Sequence, residues 1–209
     1  MSRHRARRAT PVSLEELPLL CPTPAGWAEL AAAKLPQFLA DHAVCEQQAA
    51  LSALNLVAHY PDDRELVERM TALAAEEVLH LRRVAALLHQ RGLHPARRRS
   101  NPFVQGLHAN LRRDSEGQLK IDRLLIGALI EARSCERFTR LLDVIEGRDP
   151  EVSSLLFDLG PAEKRHWEIF YGLAERADPT DGLLGRWRRW LELERELTSS
   201  LGTAPTVHG

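Results

Sequence analysis

Cysteine is scarce. Only Cys21, Cys45 and Cys135 occur in 209 residues, and no two of them stand as Cys-x-x-Cys. An odd, widely spaced set excludes a disulfide framework, and with it a zinc ribbon or a thioredoxin-like redox site; a reducing cytoplasm is the expected setting. Aromatics make up 5% of the chain, and stretches alternating apolar and polar residues are few, so there is little from which to build strands. Long apolar runs are missing too. The longest is the stretch 124–130, far short of the ~18–20 residues that cross a bilayer. The N-terminal arginines Arg3, Arg5, Arg7 and Arg8 have no apolar segment behind them, so no secretory leader is expected. There is no P-loop, no G-x-G-x-x-G and no Ser/His/Asp arrangement.

What is present is helical patterning. Periodicity marks four long helices over about 36–59, 63–90, 119–146 and 149–177. Gly92 and Gly147 are their stop signals, and Asp149-Pro150 is an N-cap followed by proline at the first helical position. Pro161 is expected to kink the fourth. Shorter helices are predicted over about 24–35, from Asn101-Pro102 onward, and over about 183–197. The first and second long helices, and the third and fourth, are joined by only a few residues, whereas about 28 residues separate the second from the third. Two tight antiparallel hairpins joined by a long crossover make an all-α fold of the ferritin-like four-helix-bundle type. Residues 14–200 are read as one such domain. Residues 1–13 form a basic arm expected to be disordered, and 201–209 a C-terminal tail expected to be mobile.

The net charge of −1 conceals an uneven distribution. Residues 82–113 hold eight arginines and no acid. Much of the remaining acid stands where it can do chemistry. Glu77-Val-Leu-His80 and Glu163-Lys-Arg-His166 are two E-x-x-H motifs, on the second and fourth long helices. Residues i and i+3 share a helical face, so each pair offers a carboxylate and an imidazole to one point. A di-metal carboxylate site in such a bundle needs one more Glu from each of the other two helices.

Height along the hairpins selects those residues. With the first turn at Pro61–Asp62, the position level with Glu77 is Glu46, whose helical neighbours include Leu39, Ala43, Ala49, Ala50 and Ala53. A bare carboxylate among them costs several kcal/mol of desolvation, on the order of what a buried unpaired charge costs, unless paired or metal-bound. On the third helix the candidates are Glu131 and Glu136. Glu131 shares its face with Leu124, Gly127, Ala128, Cys135, Phe138 and Leu142, all apolar or small; Glu136 shares its face with Leu129, Ala132, Arg133, Thr139, Arg140 and Asp143, which is largely polar. Glu131 is therefore preferred, and Glu136 remains as an outer group or the alternative ligand. The ligand set is Glu46, Glu77, His80, Glu131, Glu163 and His166. Four carboxylates balance two Fe(II) ions, and mixed O/N ligation without thiolate suits iron or manganese. Such a pair can reduce O2 and attack a C–H bond. The competing readings are a ferritin-like protein that binds or oxidises iron, and a metal-free helical interaction module.

Several strings carry a resemblance to a known family. Cys21-Pro-Thr-Pro24 followed by Trp27, Asp41-His-Ala-Val-Cys-Glu46, Glu76-Glu77-Val-Leu-His80 and Ile130-Glu-Ala-Arg-Ser-Cys-Glu-Arg-Phe138 occur in the order seen in the MiaE family of tRNA hydroxylases. The chain resembles that family from about residue 14 to its end, where Val207-His208-Gly209 is similar to a short His-containing tail. The resemblance implies a non-haem di-iron monooxygenase. Such enzymes hydroxylate the isopentenyl side chain of 2-methylthio-N6-isopentenyladenosine next to the anticodon, with O2 and two electrons from a reductase or ferredoxin. The six ligand positions match the family pattern one by one, while Gly160-Pro161 departs from it. Cytoplasmic localisation and a monomer are expected.

Arginines give partial support for RNA on their own. Arg97, Arg98 and Arg99 in the crossover, with Arg112 and Arg113, can neutralise phosphates, and guanidinium planes can stack on splayed bases. Trp167 and Phe170 are read as core, as are Trp187 and Trp190 on an amphipathic last helix. Cys45 and Cys135 are read as small buried apolar groups. His42 is either a partner of Glu46 or a satisfied core histidine.

Overall fold

The computed structural model describes residues 12–97, 100–178 and 182–208. Most of the basic N-terminal arm (1–11), together with Arg98, Arg99 and Gly209, lies outside them. Among the described residues every regular element is helical. A single 3-10 turn, Leu14–Glu16, precedes α1 (Trp27–Ala33), α2 (Leu35–His59), α3 (Arg64–Gln90), α4 (Pro102–Ala109), α5 (Glu116–Ile145), α6 (Pro150–Ala177) and α7 (Leu183–Leu201).

Local sequence explains where the helices begin and end. The side chains of Asp63, Asn101, Ser115 and Asp149 accept hydrogen bonds from the backbone N–H groups of Leu66, Val104, Gln118 and Val152. Each thereby satisfies a donor that the first helical turn leaves without a partner. Ser115 caps α5 ahead of the expected start, because a capped polar turn extends the apolar periodicity backwards. Gly147 closes the α5–α6 turn at φ 77°, a conformation that a side chain disfavours. Pro161 lies inside α6 without ending it.

Hairpins α2/α3 and α5/α6 pack internally, and α3 packs on α6 between them. The fold is the ferritin-like helical bundle expected. Its apolar core is split in two. One cluster, around Leu66, Met70, Leu124 and Phe170, sits toward the 60–63 turn; the other, around Phe38, Val84, Leu141 and Leu156, sits toward the 146–149 turn. A layer of buried acids and histidines divides them. Helix α1 lies on α5, and α4 and α7 pair with each other against α5.

The C-terminal segment corrects the expectation of mobility. Val207 is fully buried, and its N–H donates to Asp41 Oδ2 (2.8 Å). Arg137 of α5, itself buried, donates to the carbonyls of Gly202, Thr206 and Val207. A guanidinium with five fixed donors can hold such an irregular strand where no ladder or helix satisfies its backbone. Among the described residues no helix is long and apolar enough to cross a membrane.

Candidate metal centre

The mid-height layer is built from all four long helices. Glu46 comes from α2, Glu77 and His80 from α3, Glu131 from α5, and Glu163 and His166 from α6. All six are buried. They form two overlapping groups. Ligand atoms of Glu46, Glu77, His80 and Glu163 lie within 4.8 Å of one another, and so do those of Glu77, Glu131, Glu163 and His166. Glu77 and Glu163 belong to both. Each E-x-x-H pair thus supplies one carboxylate to the shared middle and one imidazole to one side.

The imidazoles are aimed. His80 Nδ1 stands 3.3 Å from Glu77 Oε2, 3.6 Å from Glu46 Oε2 and 3.8 Å from Glu163 Oε1. His166 Nδ1 is 2.7 Å from Glu77 Oε1, yet both atoms lack a partner in hydrogen-bonding alignment, as does Glu163 Oε1. Close approach without alignment is the arrangement of two atoms facing a common third point. The other nitrogen of His166 is 3.1 Å from Glu76 Oε2. That carboxylate, the first of the Glu76-Glu77 doublet, fixes the ring and its tautomer so that Nδ1 faces the cluster. Helical spacing alone gives Glu76 no role, and its place beside Glu77 in the Glu76-Glu77 doublet is the signal that points to it. His42, one turn before Glu46, makes a short contact from Nε2 to Glu46 Oε1 and is Glu46's partner.

The electrostatics describe a site short of positive charge. Burial lifts Glu163 well above the ordinary carboxylate range, and the charges of Glu77 and Glu131 lift it further. Burial likewise pushes Glu77 up to about 7, against the pull of His166 and His80. Burial acts upward on Glu46 also, but the His42 charge and hydrogen bond hold it well below its usual value. Burial opposes a charged His80, yet its bonds to Glu46 and Glu77 raise it to about 10. Four buried carboxylates, atoms with no aligned partner and an N/O donor set without sulfur fit a pair of hard-to-borderline divalent cations.

Glu136 is elsewhere. It is buried, but it accepts from the Thr23 N–H (3.0 Å) and from Arg133 (3.1 Å), with short contacts from Thr23 Oγ1 and from Arg140. The polar face read for it is covered at Arg133 and Glu136 by the segment before α1 and by helix α7, where Arg133 also binds Glu194 (2.8 Å), while Asp143 stays exposed.

A cavity of about 490 Å³ opens from the cluster. Glu46, Glu77, Glu131 and Glu163 form its floor, Ile130, Phe138 and Phe170 its apolar wall, and Gln47, Gln48, Arg97 and Gln105 its polar rim. Gly127 makes room for the wall, since a Cβ there would stand 2.7 Å from the Phe170 ring. Phe170 is thus both core and cavity lining. Trp187 and Trp190 are core, and the Trp190 Nε1–H donates to buried Asp122 (2.9 Å). Cys135 is buried, which pushes its thiol up to about 12; Cys45 is half-buried at the cavity.

The arginines divide. Arg97 is exposed at the rim and Arg113 is exposed. Arg112 is exposed too, but its Nε pairs with Asp122 at 3.2 Å.

Comparison with known proteins gives a consistent result. The sequence model of one family, tRNA-(MS[2]IO[6]A)-hydroxylase (MiaE), matches residues 10–209. The chain is 37% identical over 154 aligned residues to a Pseudomonas putida protein named tRNA 2-(methylsulfanyl)-N(6)-isopentenyladenosine(37) hydroxylase, covering 74% of this chain and 73% of that one. A Salmonella typhimurium protein of the same name is 28% identical, with 87% and 84% covered. Among solved structures, "Protein 43 with aldehyde deformylating oxygenase activity from Synechococcus" superposes with a TM-score of 0.83 at 32% identity, over 91% of this chain and 95% of that one.

Proposed function

The chain belongs to the MiaE family of tRNA hydroxylases, and on that footing we propose that its mid-height cluster holds two iron ions which serve the hydroxylation of a tRNA nucleoside. It is a tRNA-modifying hydroxylase. The substrate proposed is 2-methylthio-N6-isopentenyladenosine beside the anticodon, hydroxylated on its isopentenyl chain. The observation that carries the reading is the pair of overlapping ligand groups sharing Glu77 and Glu163. Glu46 and His80 would hold one ion, and Glu131 and His166 the other. The iron pair, when bound, supplies the reduction of O2 that places an oxygen atom on a C–H bond, with two electrons from a reductase or ferredoxin.

The chain's own residues do the rest. Four carboxylates neutralise two Fe(II) ions, and Glu76 and His42 hold His166 and Glu46 in place. Ile130, Phe138 and Phe170 form an apolar pocket suited to a hydrocarbon side chain and keep water from it. The polar rim and Arg97 face the RNA, joined in this reading by Arg98, Arg99, Arg112 and Arg113, which take the phosphates of the anticodon loop. The target adenosine leaves its stack to enter the cavity, as in base flipping. A monomer in the cytoplasm suits so large a substrate.

A protein named for an aldehyde activity shares the fold. The exposed arginine at the cavity rim favours a nucleic acid over a small aldehyde here. Nucleoside analysis of tRNA from cells with and without the gene tests the assignment. Loss of the hydroxylated isopentenyl nucleoside in the deletion is expected; its persistence would refute the assignment.

A further inference from the structure

One buried polar side chain of the cavity wall lies outside both candidate ligand groups. His208 comes from the C-terminal segment, yet it is 3% exposed and lines the same cavity as Glu46, Glu77, Glu131 and Glu163. Its placement is built. The Val207 N–H donates to Asp41 (2.8 Å), the Trp27 Nε1–H donates to the Ala204 carbonyl (2.8 Å), and Arg137 binds the carbonyls of Thr206 (3.1 Å) and Val207 (2.9 Å).

The ring occupies a defined station. It lies nearly parallel to Phe103 of α4, with centroids 5.5 Å apart and planes at 8°. Its Nε2 is 3.3 Å from Ser134 Oγ of α5. Ser134 is one helical turn from Glu131, and α4 supplies Val104 and Gln105 to the outer part of the cavity. His208 therefore lines the cavity between Ser134, one turn from Glu131, and the helix that supplies Val104 and Gln105.

Resting on the reading above, we propose that His208 is a substrate-contacting residue that positions the adenine ring of the tRNA nucleoside while the isopentenyl chain reaches the metal cluster. Adenine is flat and carries ring-nitrogen acceptors and an N6–H donor. An imidazole combines polar ring atoms with a flat face, and the stack on buried Phe103 holds that face at the cavity wall. Phosphate contacts supply most of the affinity for RNA without placing the base. A defect at His208 therefore falls on turnover and not on RNA binding.

The test compares wild type, His208→Phe and His208→Gln on an anticodon stem-loop RNA bearing the isopentenylated nucleoside. Phenylalanine keeps the stack and loses the polar atoms, whereas glutamine keeps a donor and an acceptor. The Phe variant is expected to load as much iron as wild type and to bind the RNA with unchanged Kd. Its kcat is expected to fall about ten-fold or more, with less hydroxylated nucleoside formed per O2 consumed. The Gln variant recovers part of both. Wild-type turnover and coupling in the Phe variant would overturn the proposal. Equal impairment of the two variants, or loss of fold in the Phe variant alone, would overturn it as well, because the ring would then only anchor the tail. An iron-loaded wild type that leaves the RNA unmodified refutes the functional reading itself, whatever the variants do.

Discussion

Glu131 and Glu136 lie little more than a turn apart on α5, 4% and 3% exposed, and they are balanced in opposite ways. Around Glu136 every charge has an answer. Arg133 bridges it to Glu194, Thr23 donates twice, and these partners outweigh burial to hold its carboxyl below the ordinary range. Around Glu131 stand Glu77, Glu163 and His166, and there burial and the neighbouring carboxylate charges raise both Glu77 and Glu163. Both regions bury several charges, so burial alone does not mark a metal centre. The mark is uncompensated negative charge, with donor atoms close together and turned toward a common point. The arginine network joins the segment before α1, helix α7 and the C-terminal tail to α5, whereas the acidic layer, in the function proposed, would join the two hairpins through ions from outside the chain.

The largest effect that separates the two regions is metal content. Glu163→Ala or Glu77→Ala removes a shared ligand, and metal analysis is expected to fall from about two per chain, the complement of such a bundle, to near zero. Glu136→Ala is expected to retain its metal in whatever fraction folds. Equal metal loss from Glu136→Ala would erase the distinction.

Stability gives the next contrast. Arg133→Ala leaves Glu136 and Glu194 buried beside one another, and urea unfolding is expected to show a loss of about 3–5 kcal/mol. Glu163→Gln in the metal-free protein has the opposite sign, since it removes one of several like charges. A metal-free Glu163→Gln less stable than wild type would contradict the charge account of the cluster.

The pH dependence is smaller and sharpens the same point. In the metal-free protein Glu77 is raised to about 7 and His80 to about 10. Glu77 lowers stability progressively as pH rises from its ordinary range through 7. His80 contributes fully below its ordinary value of 6.5 and loses that contribution as pH rises through 10. Between about pH 5 and about pH 8 both groups bind more protons folded than unfolded, so thermal stability in chelator is expected to fall as pH rises. Iron replaces those protons, and its binding strengthens with pH, so the loaded protein is expected to lose that slope. A metal-free protein that gains stability over this range would contradict the assignment.

The bundle and most of the cluster were legible in the sequence because they follow from helical spacing. Asp63 and Asp149 cap where a capping residue precedes apolar periodicity, and the apolar neighbours of Glu46 and Glu131 pointed both acids inward. The same spacing marks the face of Glu136 as largely polar. Periodicity reports a residue's neighbours on its own helix, not what covers them, so it could not show that Thr23 and Glu194 cover Glu136 and Arg133. Nor could it place His208. A Gly/Thr/Pro-containing stretch has no period, and its burial rests on Arg137 and Asp41, each far away in sequence. The partnership of Arg112 with Asp122 was hidden for the same reason.

The most direct measurement is an anaerobic Fe(II) titration of the metal-stripped protein, following bound iron and released protons together. Saturation at two irons per chain, with protons released as Glu77, Glu163 and the histidines give them up, is the predicted result. Saturation at one iron, or none, or uptake without proton release, would contradict the claim that these six side chains form one two-metal site.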